Sequence, residues 1–455
     1  MTHSGRRLVP TAIGVVLVAL PAGVRAQAGG IGFGPVRDTD YRENGNYDTA
    51  KVELGRLLFF DELLSGNRNI SCATCHHPDN ASGDALSLAI GEGGIGIGVG
   101  RSTGTGTDRV PARVPRNSPA LFNLGARQFG RLFHDGRVAV DGAQDSGFDT
   151  PAGDDLPSGL DNVLAAQALF PLTSTVEMAG QRAENKIAKA AARGRLAGNN
   201  GVWGRLAKRL RNVPAYVTLF RQVFDDVDAA RDINIVHAAN AIAAFEMSAL
   251  RSDNSPFDRF LRGNQGALSA QARRGMNLFY GQAGCARCHA GPFQTDGRFH
   301  SIALPQVGPG TGGGGDGRDD FGRANVTGNV GDRYRFRTPS LRNVELTAPY
   351  GHDGAYSTLA NMVRHYRDPA RELRAYDPNQ LILPSRVDLD AEDLVVMSDP
   401  ARVAAIAASN QARPSRLDNV DVADLVAFLR SLTDPSARDL GALVPDSVPS
   451  GLITR

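Results

Sequence analysis

CATCH at Cys72–His76 and CARCH at Cys285–His289 decide how this chain of 455 residues reads. The two motifs use all four of its cysteines. C-x-x-C-H is the attachment signature of c-type haem. Two thiols at that spacing add across the vinyl groups on one edge of a porphyrin, and the next residue brings an imidazole under the iron. Other readings of the cysteines fit less well. Disulfides suit an exported chain, but they leave two histidines at identical offsets unexplained. A zinc site made of two C-x-x-C knuckles has about 15–20 residues between them; here 209 intervene. A redox C-x-x-C needs neither the histidine nor a second copy. The sequence therefore predicts two covalently bound haem c groups, one on Cys72, Cys75 and His76, the other on Cys285, Cys288 and His289.

The rest of the chain agrees with export. Arg6 and Arg7 precede an apolar stretch, Leu8 to Val24, and Ala26-Gln27-Ala28 follows as a small-x-small cleavage site. Residues 1–28 thus read as a secretory signal peptide, with an uncleaved membrane anchor as the alternative. No later stretch holds 18 consecutive apolar residues, so no membrane span is expected in the mature chain. The net charge is +2. Loss of Arg6, Arg7 and Arg25 with the signal leaves −1, which gives no basic field for nucleic acid. Hydrophobic residues at 42% and charged residues at 22% exclude both a disordered chain and a multi-span membrane protein.

Helical signals dominate, and no alternating run is long enough for a substantial sheet. A leading helix is expected from Asp48 to Leu64. Ile235, Ala238, Ala239, Ile242 and Phe245 form one face of another. Ser269 is placed to cap a helix running into the second motif. Val422, Leu425, Val426, Leu429 and Leu432 mark a closing helix. Residues 91–106 and 307–332 are Gly-rich loops, the second expected to be solvated rather than a calcium loop, since EF-hand spacing is absent. Residues 141–159 read as a polar surface insertion. The expected fold is mainly α: two c-type cytochrome domains, residues 29–252 and 253–455, each wrapped round one haem, with long Gly-rich loops.

Further segments carry a resemblance: RNSPALFN (116–123), FHDGR (133–137), Val176-Glu177-Met178, and RTPSLRNVELTAPYGHDG (337–354). With the two haem motifs, they resemble the bacterial dihaem cytochrome c peroxidase/MauG family over roughly residues 45–435. The resemblance implies a peroxidatic N-terminal haem, an electron-transferring C-terminal haem and one calcium ion between the domains. His76 and His289 match the proximal ligands. Gln167 and Glu177 match the pair over the N-terminal haem; a partly buried carboxylate there can move the proton that peroxide cleavage requires. Asn117 and the carbonyls of Thr347 and Pro349 match the calcium site, hard oxygen donors of the kind calcium takes. Tyr366 matches the position of the second ligand to the C-terminal iron, with Met362, one turn earlier, as its rival; both side chains simply packed in the core is the third reading.

The chain departs from the family pattern in two further places. The loop after the first motif, Ile90-Gly-Glu-Gly-Gly94, has no histidine, whereas peroxidases that need reductive activation carry a distal histidine there. His77 adjoins the proximal ligand and cannot reach the opposite face. At the usual inter-haem tryptophan stands His134, either a poorer hole carrier or a packing residue. The expectation is a periplasmic oxidoreductase reducing hydrogen peroxide, with electrons from a small redox protein such as cytochrome c or a cupredoxin. Two alternatives stay open: a MauG-like enzyme oxidising residues of a partner protein, and a dihaem electron-transfer cytochrome without peroxidase activity.

Overall fold

A computed structural model describes residues 34–454. The expected signal peptide lies outside the described residues. The helices that build the two haem sites are α1 (Thr49–Phe60), α2 (Val163–Ala168), α3 (Ile235–Ala249), α4 (Ala270–Tyr280), α5 (Leu359–His365) and α6 (Asn419–Arg430). Their starts follow capping chemistry. Asp48 accepts from the Lys51 N–H, Asn234 from Val236 and His237, Ser269 from Ala272, and Asp418 from Asp421. Helix α1 stops at Phe60, short of the expected Leu64. Asp61 turns the chain, its carboxylate accepting the Leu63 N–H, into a short 3₁₀ turn, Glu62–Leu64.

Two helix pairs repeat one packing solution. Helix α1 crosses α3 at Gly55, where a Cβ would lie 1.8 Å from the Ala241 carbonyl oxygen and 2.9 Å from the Phe245 Cβ. Helix α4 crosses α6 at Gly275, where a Cβ would lie 1.9 Å from the Asp424 carbonyl oxygen and 2.9 Å from the Phe428 Cβ. Only glycine permits this backbone approach. Four and five residues later, aromatic rings close each crossing. Phe59 and Phe60 sit 5.2 and 6.3 Å from Phe245, and Phe279 and Tyr280 sit 5.1 and 6.0 Å from Phe428.

The larger apolar core is drawn from residues between Val36 and Leu250 together with Phe293, and a second core runs from Phe257 to Leu432. The C-terminal tail returns to the first: Ala437 and Val448 are buried in it, and the Ser450 hydroxyl donates to Asp61 at 2.7 Å. Sheet is minor. β1 (Arg131–Leu132), β2 (Val138–Val140) and β3 (Phe148–Asp149) form an antiparallel meander, and β4 (Phe299–His300) pairs with β5 (Phe336–Arg337). The 141–159 segment is therefore not wholly a surface insertion, since Phe148 and Leu156 are buried.

The 307–332 loop also differs from expectation. Asp319 and Asp320 within it are buried. Arg116 grips Asp320 through two bonds of 2.7 and 2.9 Å and holds Asp135 at 2.6 Å. This buried charge cluster fastens the loop to the N-terminal part of the chain. Arg113 adds a second bridge, to Asp390 and Asp393. Among the described residues, no helix is long and apolar enough to cross a membrane.

Candidate functional site: two haem-binding motifs

At the first motif, Cys72–Cys75 forms a single helical turn, and the His76 N–H closes it on the Cys72 carbonyl. The Nδ1 of His76 lies 3.0 Å from the Ser82 carbonyl oxygen. A carbonyl only accepts, so Nδ1 carries the proton and Nε2 keeps a free lone pair, the tautomer a metal needs. The second motif repeats this. The His289 N–H donates to the Cys285 carbonyl, and its Nδ1 lies 3.1 Å from the Gln294 carbonyl oxygen. Burial pushes both imidazoles below their ordinary value and keeps them neutral. All four cysteines are free, and burial pushes the thiols of Cys72, Cys75 and Cys285 up to about 12. Free paired thiols, each set followed by a neutral, oriented imidazole, fit covalent haem c. Neither Ser82 nor Gln294 was singled out in the sequence; carbonyl acceptors leave no side-chain signature.

The motifs differ in exposure. Ala73 and Thr74 are buried, whereas Ala286 is half-exposed and Arg287 exposed. Cys288, Asp296 and His300 bring three metal-ligating atoms within 4.8 Å of one another. Asp296 is already bonded to the His300 Nε2 at 2.8 Å, and Cys288 belongs to the attachment motif, so this cluster reads as a hydrogen-bonded pair beside the second motif.

Gln167 projects from α2, and Glu177 lies in the turn that follows; both are half-buried. No hydrogen bond joins them among the described residues. Burial raises the Glu177 carboxyl above its ordinary range, opposed by the charge of Arg137 and a bond from Ser174. The charge of Glu177 bears on Cys75, so the carboxylate lies near the first attachment motif. The histidine-free loop runs against it: a Cβ on Gly91 would lie 1.8 Å from the Val176 carbonyl oxygen, and the Glu92 N–H donates to the Glu177 carbonyl at 2.9 Å. Arg101, fully buried, ties the loop down by donating to the carbonyls of Ile90, Gly91 and Gly96. The sequence reading passed over Arg101.

Tyr366 ends α5. Burial raises its phenol, and Cys285 and Cys288 add to the rise. Its side chain therefore lies near the second attachment motif. Met362 packs against the second apolar core. His365 is not available as a ligand, since its ring nitrogens meet the Tyr356 hydroxyl at 2.8 Å and the Ile302 carbonyl at 2.7 Å.

Between the motifs, His134 donates from Nε2 to the Asn117 carbonyl at 3.2 Å. Burial, with Arg116 and Arg337 nearby, lowers it to about 4 and leaves it neutral. The Asn117 N–H donates to the His352 carbonyl, three residues beyond Pro349. The Asn117 amide nitrogen donates to the Leu86 carbonyl at 2.8 Å, leaving its oxygen as an acceptor. The carbonyls of Thr347 and Pro349 take no hydrogen bond among the described residues. Such an oxygen set fits a hard cation.

Comparison with known proteins gives the same picture. A family profile described as di-haem cytochrome c peroxidase matches residues 49–266. Methylamine utilization protein MauG of Methylorubrum extorquens is 34% identical over 317 residues, covering 70% of this chain and 68% of the relative. Cytochrome c551 peroxidase of Pseudomonas aeruginosa is 30% identical, covering 68% of this chain and 70% of the relative. Among solved structures, a MauG-like protein associated with microbial copper homeostasis matches with a TM-score of 0.57 at 26% identity, covering 87% of this chain and 93% of that one. With relatives of both kinds aligned across most of its length, the chain belongs to the oxidoreductase family of dihaem cytochrome c peroxidases and MauG.

Proposed function

We propose that the chain is an exported, periplasmic dihaem peroxidase that reduces hydrogen peroxide to water. Two protons and two electrons convert each peroxide to two waters. The observation that carries this reading is Glu177, a carboxyl with raised proton affinity beside the N-terminal motif. Haem c held by Cys72, Cys75 and His76, and by Cys285, Cys288 and His289, would supply the iron redox chemistry. Glu177 takes the proton from one peroxide oxygen and returns it to the other. Gln167 orients the bound oxygen by its amide. The loop from Ile90 to Gly94 offers no imidazole to block that face, and Arg101 holds it in place. Tyr366 would be the second protein ligand at the C-terminal site. Asn117, Thr347 and Pro349 would hold one calcium ion. Electrons come through the C-terminal site from a small redox protein such as cytochrome c or a cupredoxin.

A second reading, in which residues of a partner protein supply the electrons as for a MauG-like enzyme, is favoured by Tyr366. A phenolate is a hard, anionic donor that stabilises oxidised iron. Turnover of the holoenzyme with peroxide and a reduced small cytochrome, without prior reduction, tests both. Rapid oxidation of the cytochrome supports the peroxidase. Peroxide consumption that requires a specific partner protein supports the second reading. No reaction with peroxide overturns both.

A further inference from the structure

Exposed arginines gather round the C-terminal attachment site. Arg287 lies inside the motif. Arg298 is two residues beyond Asp296, whose N–H donates to the Cys288 carbonyl at 2.7 Å. Arg364 and Arg367 flank Tyr366. Arg413 and Arg416 flank Ser415, whose N–H and hydroxyl both donate to the Tyr366 carbonyl. All are exposed except Arg367, which is half-buried. None forms an ion pair among the described residues; Arg364 and Arg367 meet only the amide oxygens of Asn361 and Asn419. The nearby acids are engaged locally: Asp296 with His300, Asp368 with the Arg371 N–H, and Asp418 and Asp421 with each other's N–H groups.

The N-terminal motif shows the opposite. No Lys or Arg occurs from residue 69 to residue 100, and the residues between its cysteines are buried. The net charge of the whole chain is only +2, so the cationic rim is local. Unpaired guanidinium groups round a half-exposed attachment segment form a surface complementary to carboxylates.

We propose that this rim docks a small redox protein with an acidic face, which delivers electrons beside Cys285 and Cys288. Each encounter oxidises the donor by one electron, and two encounters supply the pair that one peroxide takes up. The direction of electron flow rests on the peroxidase reading; the docking does not. Complementary charge of this kind speeds encounter and weakens with salt.

The test uses the holoenzyme and two reduced probes, an acidic plastocyanin-type cupredoxin and a basic mitochondrial-type cytochrome c. Binding is measured first by calorimetry, because it does not depend on turnover. The acidic probe should bind more tightly than the basic one and weaken about tenfold as ionic strength rises from about 20 to about 200 mM. Arg413→Glu with Arg416→Glu should weaken it about tenfold at low salt, and Arg298→Glu with Arg364→Glu, on separate segments, should do the same. Peroxide turnover with an uncharged hydroquinone should not change in either variant. Equal binding of both probes, affinity for the acidic probe that ignores salt and both double variants, or equally tight binding of duplex DNA would overturn the proposal. Salt-dependent binding of the acidic probe without peroxide turnover would keep the docking face and remove the peroxidase reading.

Discussion

The two halves share a frame and differ in what lines it. In the first, Gly55, Phe59 and Phe60 meet Ala241 and Phe245; in the second, Gly275, Phe279 and Tyr280 meet Asp424 and Phe428. Each frame leads to a C-x-x-C-H turn whose histidine is oriented by a carbonyl. The segments between the framing helices then diverge. The first half brings a half-buried carboxyl, Glu177, and a pinned glycine loop; the second brings a phenol, Tyr366, and an arginine rim. The residue after the framing phenylalanine differs too: Glu246, buried with an unpartnered oxygen, stands where the second half has Leu429. On the proposed function, one scaffold supports two chemistries, because attachment needs only the frame while reactivity depends on the segments laid across it.

The comparison breaks most completely at the cysteines. Cys285→Ala with Cys288→Ala should leave one covalent haem, on the first half, read by mass of the denatured protein. Loss of both haems would mean that the halves do not load independently. At the crossings, Gly55→Ala and Gly275→Ala each force a Cβ into a neighbouring carbonyl and should each cost about 3 kcal/mol in denaturant unfolding. A neutral result in one half would show that its crossing tolerates separation. Glu177→Gln should slow the peroxide reaction by about 10²-fold and leave the spectrum of the second half unchanged; unaltered stopped-flow kinetics would remove Glu177 from the mechanism.

The smaller effect concerns Glu246. Burial raises its carboxyl to about 8. The native chain therefore keeps a proton that the unfolded chain releases, and stability falls as pH rises from about 4 to about 8. Glu246→Leu, which copies Leu429, should remove that fall and stabilise the protein by about 1 kcal/mol or more at pH 8, less at pH 5. Denaturant midpoints that shift equally at both pH values would contradict the buried, protonated carboxyl.

Local chemistry was legible in the sequence; long-range contact was not. The start of α1 near Asp48, the cap at Ser269, the amphipathic faces of α3 and α6 and both haem motifs follow from short spacings. The 307–332 loop was expected in solvent because its Gly and Asp content reads that way. What buries Asp320 is Arg116, 204 residues away in sequence. The return of the tail onto the first core likewise has no local signal. The crossing glycines did leave a trace that went unread: Gly55-Arg-Leu-Leu-Phe59-Phe60 and Gly275-Met-Asn-Leu-Phe279-Tyr280 repeat one pattern ahead of the two motifs. For the candidate site, Glu177 and Tyr366 were named by resemblance. Arg101 was not, because its partners are main-chain carbonyls.

The central claim is that the two haem sites differ in their second protein ligand: none from the chain at the first, Tyr366 at the second. Low-temperature electron paramagnetic resonance of the ferric holoprotein, as isolated and in Tyr366→Phe and Met362→Leu, tests it directly. The account predicts one high-spin and one low-spin signal, with only the low-spin signal altered in Tyr366→Phe and neither altered in Met362→Leu. A low-spin signal that survives Tyr366→Phe and is lost in Met362→Leu would contradict it.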